Sequence, residues 1–125
     1  MRTVENLDVY RKAYEASLRT HHITQGFPSW ERYRGLGSQL RSSSKSVVAN
    51  LVEGYCFKNI RPGRFLSHLE VSMGSCDETR LWLRYCLDLN YIEEALYREL
   101  ELIYSEIGRM LWGLFRSLEP PSLEP

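Results

Sequence analysis

Glu93-Glu94-Ala95-Leu96-Tyr97-Arg98-Glu99-Leu100-Glu101-Leu102-Ile103-Tyr104-Ser105-Glu106-Ile107-Gly108-Arg109-Met110-Leu111-Trp112-Gly113-Leu114-Phe115-Arg116-Ser117-Leu118 is the stretch on which the fold turns. Leu96, Leu100, Ile103, Ile107, Met110, Leu111, Leu114 and Leu118 recur at steps of three and four, so one side of a helix is apolar along its whole length. Glu93 and Glu94 put negative charge at the positive end of that helix, and Pro120-Pro121 ends it. A helix with one apolar stripe needs other elements to cover that stripe.

Three such elements precede it. From Pro62 to about Leu89, Leu66, Leu69, Met73, Cys76, Leu83 and Leu87 keep the same repeat, with Arg80 in an apolar slot and Asn90 suited to a left-handed stop. Arg61-Pro62-Gly63 marks the turn before it. From about Ser29 to Tyr55, Tyr33, Leu36, Leu40, Val47, Leu51 and Tyr55 define a helix of roughly 40 Å at 1.5 Å per residue. From about Thr3 to Thr20, Leu7, Tyr10, Tyr14 and Leu18 form the stripe, and His21 to Phe27 before Pro28 reads as a polar connection. No window alternates with period two. Short connections make the expected fold all-α, an antiparallel up-down-up-down four-helix bundle over residues 1–119, with residues 120–125 a frayed tail.

A chain of 125 residues is one domain's length, and 43% hydrophobic with 26% charged residues excludes disordered and collagenous classes. Cys56, Cys76 and Cys86 leave an odd thiol and form no C-x-x-C pair, which points to a reducing compartment. With neither a membrane-length apolar run nor a signal-peptide pattern, the expected location is the cytoplasm. The net charge of zero hides two opposite halves: residues 1–64 carry 11 Lys/Arg against 5 Asp/Glu, and residues 65–125 carry 5 against 11. A basic surface and an acidic one are thereby available to pair within or between subunits.

Leu81 to Leu89 is apolar around most of its helix, and the last helix adds Tyr97, Tyr104, Gly108, Trp112 and Phe115 beside its stripe. Second apolar faces of this kind favour self-association, with Trp82, Tyr85, Tyr97, Tyr104, Trp112 and Phe115 as the expected interface. A thick aromatic monomer core is the competing account.

Signals of chemistry are sparse. Di-iron bundles need Glu-x-x-His pairs, and His21, His22 and His68 follow Leu18, Arg19 and Phe65 at that spacing. No metal ligand set, cofactor motif, catalytic constellation or small-molecule substrate emerges; Gly35-Leu36-Gly37 lacks the strand and Lys of a phosphate loop, and the cysteines read as packing residues. Two patterns do stand out. Gln39, Ser43, Ser46, Asn50 and Glu53 make a polar stripe at core spacing, matched by Ser72, Ser75 and Glu78 on the next helix: either a hydrogen-bonded layer that sets register or a shallow recognition site. Arg34, Arg41 and Lys45, with Lys58, Arg61 and Arg64 at the following turn, form a basic strip able to meet phosphates, or an ordinary solvated face.

Leu7-Asp8-Val9-Tyr10-Arg11-Lys12-Ala13, Phe27-Pro28-x-x-Glu31, Gly35-Leu36-x-x-Gln39-Leu40-Arg41, Ser46-Val47-Val48-Ala49-Asn50-Leu51-Val52-Glu53-Gly54, Ser72-x-Gly74-Ser75-x-x-Glu78-Thr79 and Leu89-Asn90-Tyr91-Ile92 together resemble the four-helix-bundle proteins of the 23S ribosomal RNA intervening sequence. The resemblance runs from residue 7 to about 118. It implies a cytoplasmic protein without enzymatic activity, whose relatives form ring-like homopentamers, and a binding or scaffold role with RNA or ribonucleoprotein partners. Similar bundles serve as accessory subunits of retroelement reverse transcriptases, which makes an accessory subunit of a reverse transcriptase or another protein the alternative role.

Overall fold

The computed structural model describes residues 3–120. After a single 3-10 turn, Val4–Asn6, come helices α1 (Asp8–Thr24), α2 (Ser29–Tyr33), α3 (Leu36–Tyr55), α4 (Pro62–Asp88) and α5 (Glu94–Leu118), and no strand occurs among the described residues. Pro62 opens α4, where its missing N–H costs nothing. Asn90 takes the left-handed conformation (φ 64°) that turns the chain from α4 into α5. The expected frayed tail from residue 121 onward lies outside the described residues.

Two helices depart from expectation. The continuous helix over Ser29–Tyr55 is broken at Arg34-Gly35. The short α2 folds back over the start of α3 so closely that a Cβ on Gly37 would stand 2.6 Å from the Glu31 carbonyl oxygen and 2.9 Å from that of Arg32. The first helix begins at Asp8 and continues to Thr24, which places His21 and His22 in its last turn, not in a loop.

The four long helices stand in a ring, α1 against α3 and α5, and α4 against α3 and α5. Partner numbers run in opposite directions at each contact. Thr79, Ser75 and His68 of α4 bond Ser43, Ser46 and Asn50 of α3. Arg41 and Lys45 of α3 bond Thr24 and His21 of α1. Lys12 and Arg19 of α1 pair with Glu106 and Glu99 of α5, while Arg80 and Cys76 of α4 meet Glu101 and the Tyr104 carbonyl. The bundle is antiparallel throughout.

Leu40, Val47, Leu51, Phe65, Leu69, Leu83, Leu100, Ile107 and Leu111 fill its centre with essentially no exposure. Each side chain of this size stabilises by about 1.5–3 kcal/mol relative to an exposed one. The first helix contributes differently from its expected stripe. Val9, Ala13, Ala16, Thr20 and Thr24 are buried, while Tyr14 and Leu18 are 46% and 45% exposed. Small residues let α1 sit close to both neighbours and leave its larger apolar residues outside. Tyr33, expected inward, is likewise exposed on α2.

Tyr104 is a further correction. It lies in the core at 1% exposure, with its hydroxyl on Thr20 Oγ1 at 2.8 Å, and so cannot belong to an interface. Cys76 and Cys86 are buried packing residues whose thiols burial pushes up to about 12, but Cys56 is exposed and donates to the Glu53 carbonyl at 3.1 Å. Arg80 occupies its apolar slot by laying Nε and Nη2 on Glu101 Oε1 at 3.0 and 2.6 Å.

Candidate functional site

The polar stripes of α3 and α4 meet as a seam. Thr79 Oγ1 lies 2.8 Å from Ser43 Oγ, Ser75 Oγ donates to Ser46 Oγ (2.8 Å), and Ser72 Oγ donates to the Val47 carbonyl (2.9 Å). At its open end, Asn50 Nδ2 donates to the Ser46 carbonyl at 3.0 Å, its Oδ1 lies 3.0 Å from His68 Nδ1, and Glu53 Oε2 stands 3.8 Å from the same ring nitrogen. A Cβ on Gly54 would meet His68 Cβ at 2.6 Å and Phe65 Cδ1 at 2.9 Å, so glycine is what lets α4 approach α3 here. Ser43, Ser72 and Thr79 are buried with their hydroxyls satisfied. Glu53, Gln39 and Glu78 remain exposed, and Glu78 accepts from Trp82 Nε1 at 3.1 Å. The seam thus sets helix register and opens at a mouth where Glu53 is exposed and Asn50 and His68 are partly buried. Among the described residues, no group of three or more His, Cys, Asp or Glu side chains could hold a metal ion.

The expected basic strip separates into two clusters. Arg34 follows α2, Arg41 and Lys45 lie in the first half of α3, and Lys58, Arg61 and Arg64 follow its end, Arg64 in the first turn of α4. The second half of α3, roughly 15 Å at 1.5 Å per residue, separates Lys45 from the turn that carries the second cluster. Arg41 is turned inward, with Nη1 on Thr24 Oγ1 (2.8 Å) and Nη2 on the Arg32 carbonyl (2.6 Å). Lys45 Nζ lies 3.1 Å from His21 Nδ1, and Arg34 is exposed. In the second cluster Lys58 lies over the Tyr55 ring and Arg64 over the Phe57 ring, at 5.4 and 4.1 Å from their centroids.

The remaining aromatic residues fall in two places. On α4, Val71, Glu78 and Trp82 are spaced minus four, plus three and plus seven from Ser75, hence on the side that faces α3; Tyr85 and Leu89 continue the strip. Tyr85 is 49% exposed and its ring lies 5.8 Å from that of Trp82. Gly74, with open space around it, interrupts the strip. On α5, Trp112 and Phe115 stack at 5.7 Å beside the α4–α5 groove, where Trp112 helps line a cavity with Met73 and Gly108. Tyr97 is half-buried with the Arg84 guanidinium over its ring. Sequence reading missed the cavity formed by His21, Gln25, Arg32, Tyr33 and Arg41, because it depends on the break between α2 and α3. The paired glycines Gly35 and Gly37 were the available signal.

The described residues form an antiparallel four-helix bundle sealed on one side by serine and threonine hydroxyls. The chain belongs to the 23S rRNA-intervening sequence protein family, which it matches over residues 5–113. A protein with unknown function from the S23 ribosomal protein family of Bacteroides thetaiotaomicron VPI-5482, known from a crystal structure, shares the fold with a TM-score of 0.78 at 20% identity, over 86% of this chain and 95% of that one. No curated protein matches the chain. Two of the blocks that carry the resemblance, Ser46 to Gly54 and Ser72 to Thr79, lie on the two sides of the α3–α4 seam. No helix among the described residues is long and apolar enough to cross a membrane.

Proposed function

We propose that the protein is a non-enzymatic scaffold of the cytoplasm that assembles with copies of itself, and that RNA or a ribonucleoprotein is the partner its basic clusters fit. The observation that carries self-assembly is a pair of unlike apolar patches, one on α4 and the other on α1 with the adjoining side of α3. One is the α4 strip of Val71, Trp82, Tyr85 and Leu89, the last three backed by Leu81. The other is Tyr14 and Leu18 of α1; the register set by His21–Lys45 and Thr24–Arg41 carries them alongside Val52 and Val48 of α3. Unlike patches that meet head to tail generate a ring, and five subunits is the number the family resemblance implies. The α4 strip belongs to the acidic half of the chain and the α1–α3 patch to the basic half, so charge favours the same pairing.

Light scattering on the purified chain tests this reading: a discrete oligomer that Trp82→Glu with Tyr85→Glu dissolves supports it, and a monomer at tens of micromolar overturns it. The exposed α4 strip also favours a second reading, an accessory subunit of a reverse transcriptase or another protein, for which the isolated chain is that monomer. The RNA partner is tested by anisotropy across a salt series. Reversing Arg61 and Arg64 to Glu is expected to flatten the log-affinity against log-salt slope by about 0.9 per lost contact to duplex RNA, taking the B-DNA value, and an unchanged slope overturns that cluster's role.

A further inference from the structure

Between the last turn of α1, the short α2 and the beginning of α3 lies an open cavity of about 480 Å³ lined by His21, Gln25, Arg32, Tyr33 and Arg41, with Lys45 at its edge on His21. Among the described residues, neither Arg32, Arg41 nor Lys45 has a carboxylate within ion-pair distance. Arg41 spends two of its donors on Thr24 Oγ1 and the Arg32 carbonyl, which fixes its guanidinium in place. Arg32 is less committed. Its Nε is shielded from solvent with no hydrogen-bond partner, and its Nη1 makes only a long 3.4 Å contact with the Gln25 carbonyl. A shielded N–H left unpaired costs free energy that an incoming acceptor recovers. Burial, with the nearby charges of Lys45, Arg41 and His22, holds the His21 imidazole below its ordinary range, which marks the region as one of positive potential.

The cavity is larger than a bare anion needs and falls in the range of sites for small organic ligands, roughly 300–1,000 Å³. Tyr33 is 65% exposed at its mouth, with the Arg32 guanidinium over one ring face at 4.7 Å. An exposed aromatic ring beside paired guanidinium groups is the combination that stacks a base and holds its phosphate.

We propose that this cavity binds a nucleoside phosphate, the phosphate on Arg32 and Arg41 and the base against Tyr33. The ligand is a free nucleotide or the 5′-phosphorylated end of a single-stranded RNA, which present the same chemistry. The assignment deepens the anionic-partner reading above and stands apart from self-assembly.

Calorimetric titration at low salt with AMP, inorganic phosphate, adenosine, and one RNA oligonucleotide bearing either a 5′-phosphate or a 5′-hydroxyl tests it. AMP is expected to saturate one site per chain, at least tenfold tighter than inorganic phosphate or adenosine. Arg32→Gln is expected to weaken it at least tenfold and Tyr33→Ala severalfold, with melting temperature and subunit mass unchanged. A preference of the RNA for its 5′-phosphate over its 5′-hydroxyl assigns the RNA end as the source, and equal affinity of the two oligonucleotides assigns the free nucleotide. Absence of saturable AMP binding, or AMP binding indifferent to both substitutions, overturns the proposal. RNA that still binds Arg32→Gln while AMP binds neither protein overturns this site and leaves RNA association at Lys58, Arg61 and Arg64 standing.

Discussion

The Tyr104 hydroxyl of α5 lies 2.8 Å from Thr20 Oγ1 of α1, across the middle of the bundle, and Thr20 passes the chain on by donating to the Ala16 carbonyl, also at 2.8 Å. With Thr20 donating to Ala16, the phenol is the donor to Thr20. Tyr104→Phe therefore removes one buried hydrogen bond and leaves Thr20 satisfied, so urea unfolding should show a loss of about 0.5–1.5 kcal/mol. Subunit mass should stay the same, since nothing of Tyr104 reaches the surface.

The same core predicts how stability responds to alkali. Burial raises the Cys76 and Cys86 thiols from 9.0 to about 12 and the Tyr104 phenol from 10.0 to about 12. All three bind protons more tightly when folded, so their contribution is complete below pH 9 and is lost as pH rises from there towards 12. Chemical denaturation at steps between pH 8 and pH 11 should show a progressive fall in stability. Cys76→Ala with Cys86→Ala should flatten the part that begins near pH 9, whatever the double variant's starting stability; an unchanged slope would show that neither thiol is linked to unfolding.

Gly54 offers a sharper test of the α3–α4 approach. An Ala Cβ there would stand 2.6 Å from His68 Cβ and 2.9 Å from Phe65 Cδ1, and both belong to side chains held by the seam and the core. Gly54→Ala should cost about 1–3 kcal/mol through overpacking, although alanine is the better helix former. Gly113 sits on the open side of α5 with nothing near its position, so Gly113→Ala should stabilise by about 0.5–1 kcal/mol. Equal effects of opposite sign from the expected ones would refute close approach as the reason for Gly54.

How much of this was legible in the sequence varies with the helix. The α5 repeat placed Leu100, Ile107 and Leu111 in the core correctly, because its aliphatic residues recur without a gap along one side of that helix. By the same repeat Tyr104, four residues after Leu100 and three before Ile107, was readable as core. Its aromatic ring suggested an interface because a ring with a hydroxyl suits either place. The α1 reading failed for the converse reason. Hydrophobicity ranks Tyr14 and Leu18 above Ala13, Ala16 and Thr20, yet close packing selects by size, and the small residues went inside. The seam was visible as two polar stripes, since Ser43, Ser46 and Asn50 repeat at core spacing. The basic cavity was not, because Gly35 and Gly37 signal a break between α2 and α3 without saying which backbone carbonyls α3 will approach.

Within the seam, Thr79 and Ser43 form a buried hydroxyl pair at 2.8 Å, Thr79 also bonding the Ser75 carbonyl at 2.9 Å. Thr79→Val keeps the shape and strands the Ser43 hydroxyl, whose other contact, to the Leu40 carbonyl, is a long 3.5 Å. The expected cost is about 1–3 kcal/mol, and adding Ser43→Ala should recover part of it, because removing both partners is cheaper than leaving one unpaired. A double-mutant cycle by urea unfolding measures the coupling directly; strictly additive losses would mean that the pair does not fix register.

Two unlike patches make a prediction that a single self-complementary patch does not. Trp82→Glu with Tyr85→Glu disables the α4 strip and leaves Tyr14 and Leu18 intact, while Tyr14→Glu with Leu18→Glu does the reverse. Tyr14 and Leu18 are nearly half exposed and Tyr85 is half exposed, while Trp82 packs in part against the core, so circular dichroism is first used to check that both variants keep wild-type helicity. In a head-to-tail ring each variant alone lacks one half of every contact and should run as a monomer. Mixed in equal amounts, one intact α4 strip meets one intact α1–α3 patch, and growth stops after that single contact. Native mass spectrometry should then find a one-to-one heterodimer and nothing larger. If the strip instead paired with another strip, the Tyr14 and Leu18 variant would still dimerise on its own, and the mixture would contain only its homodimer.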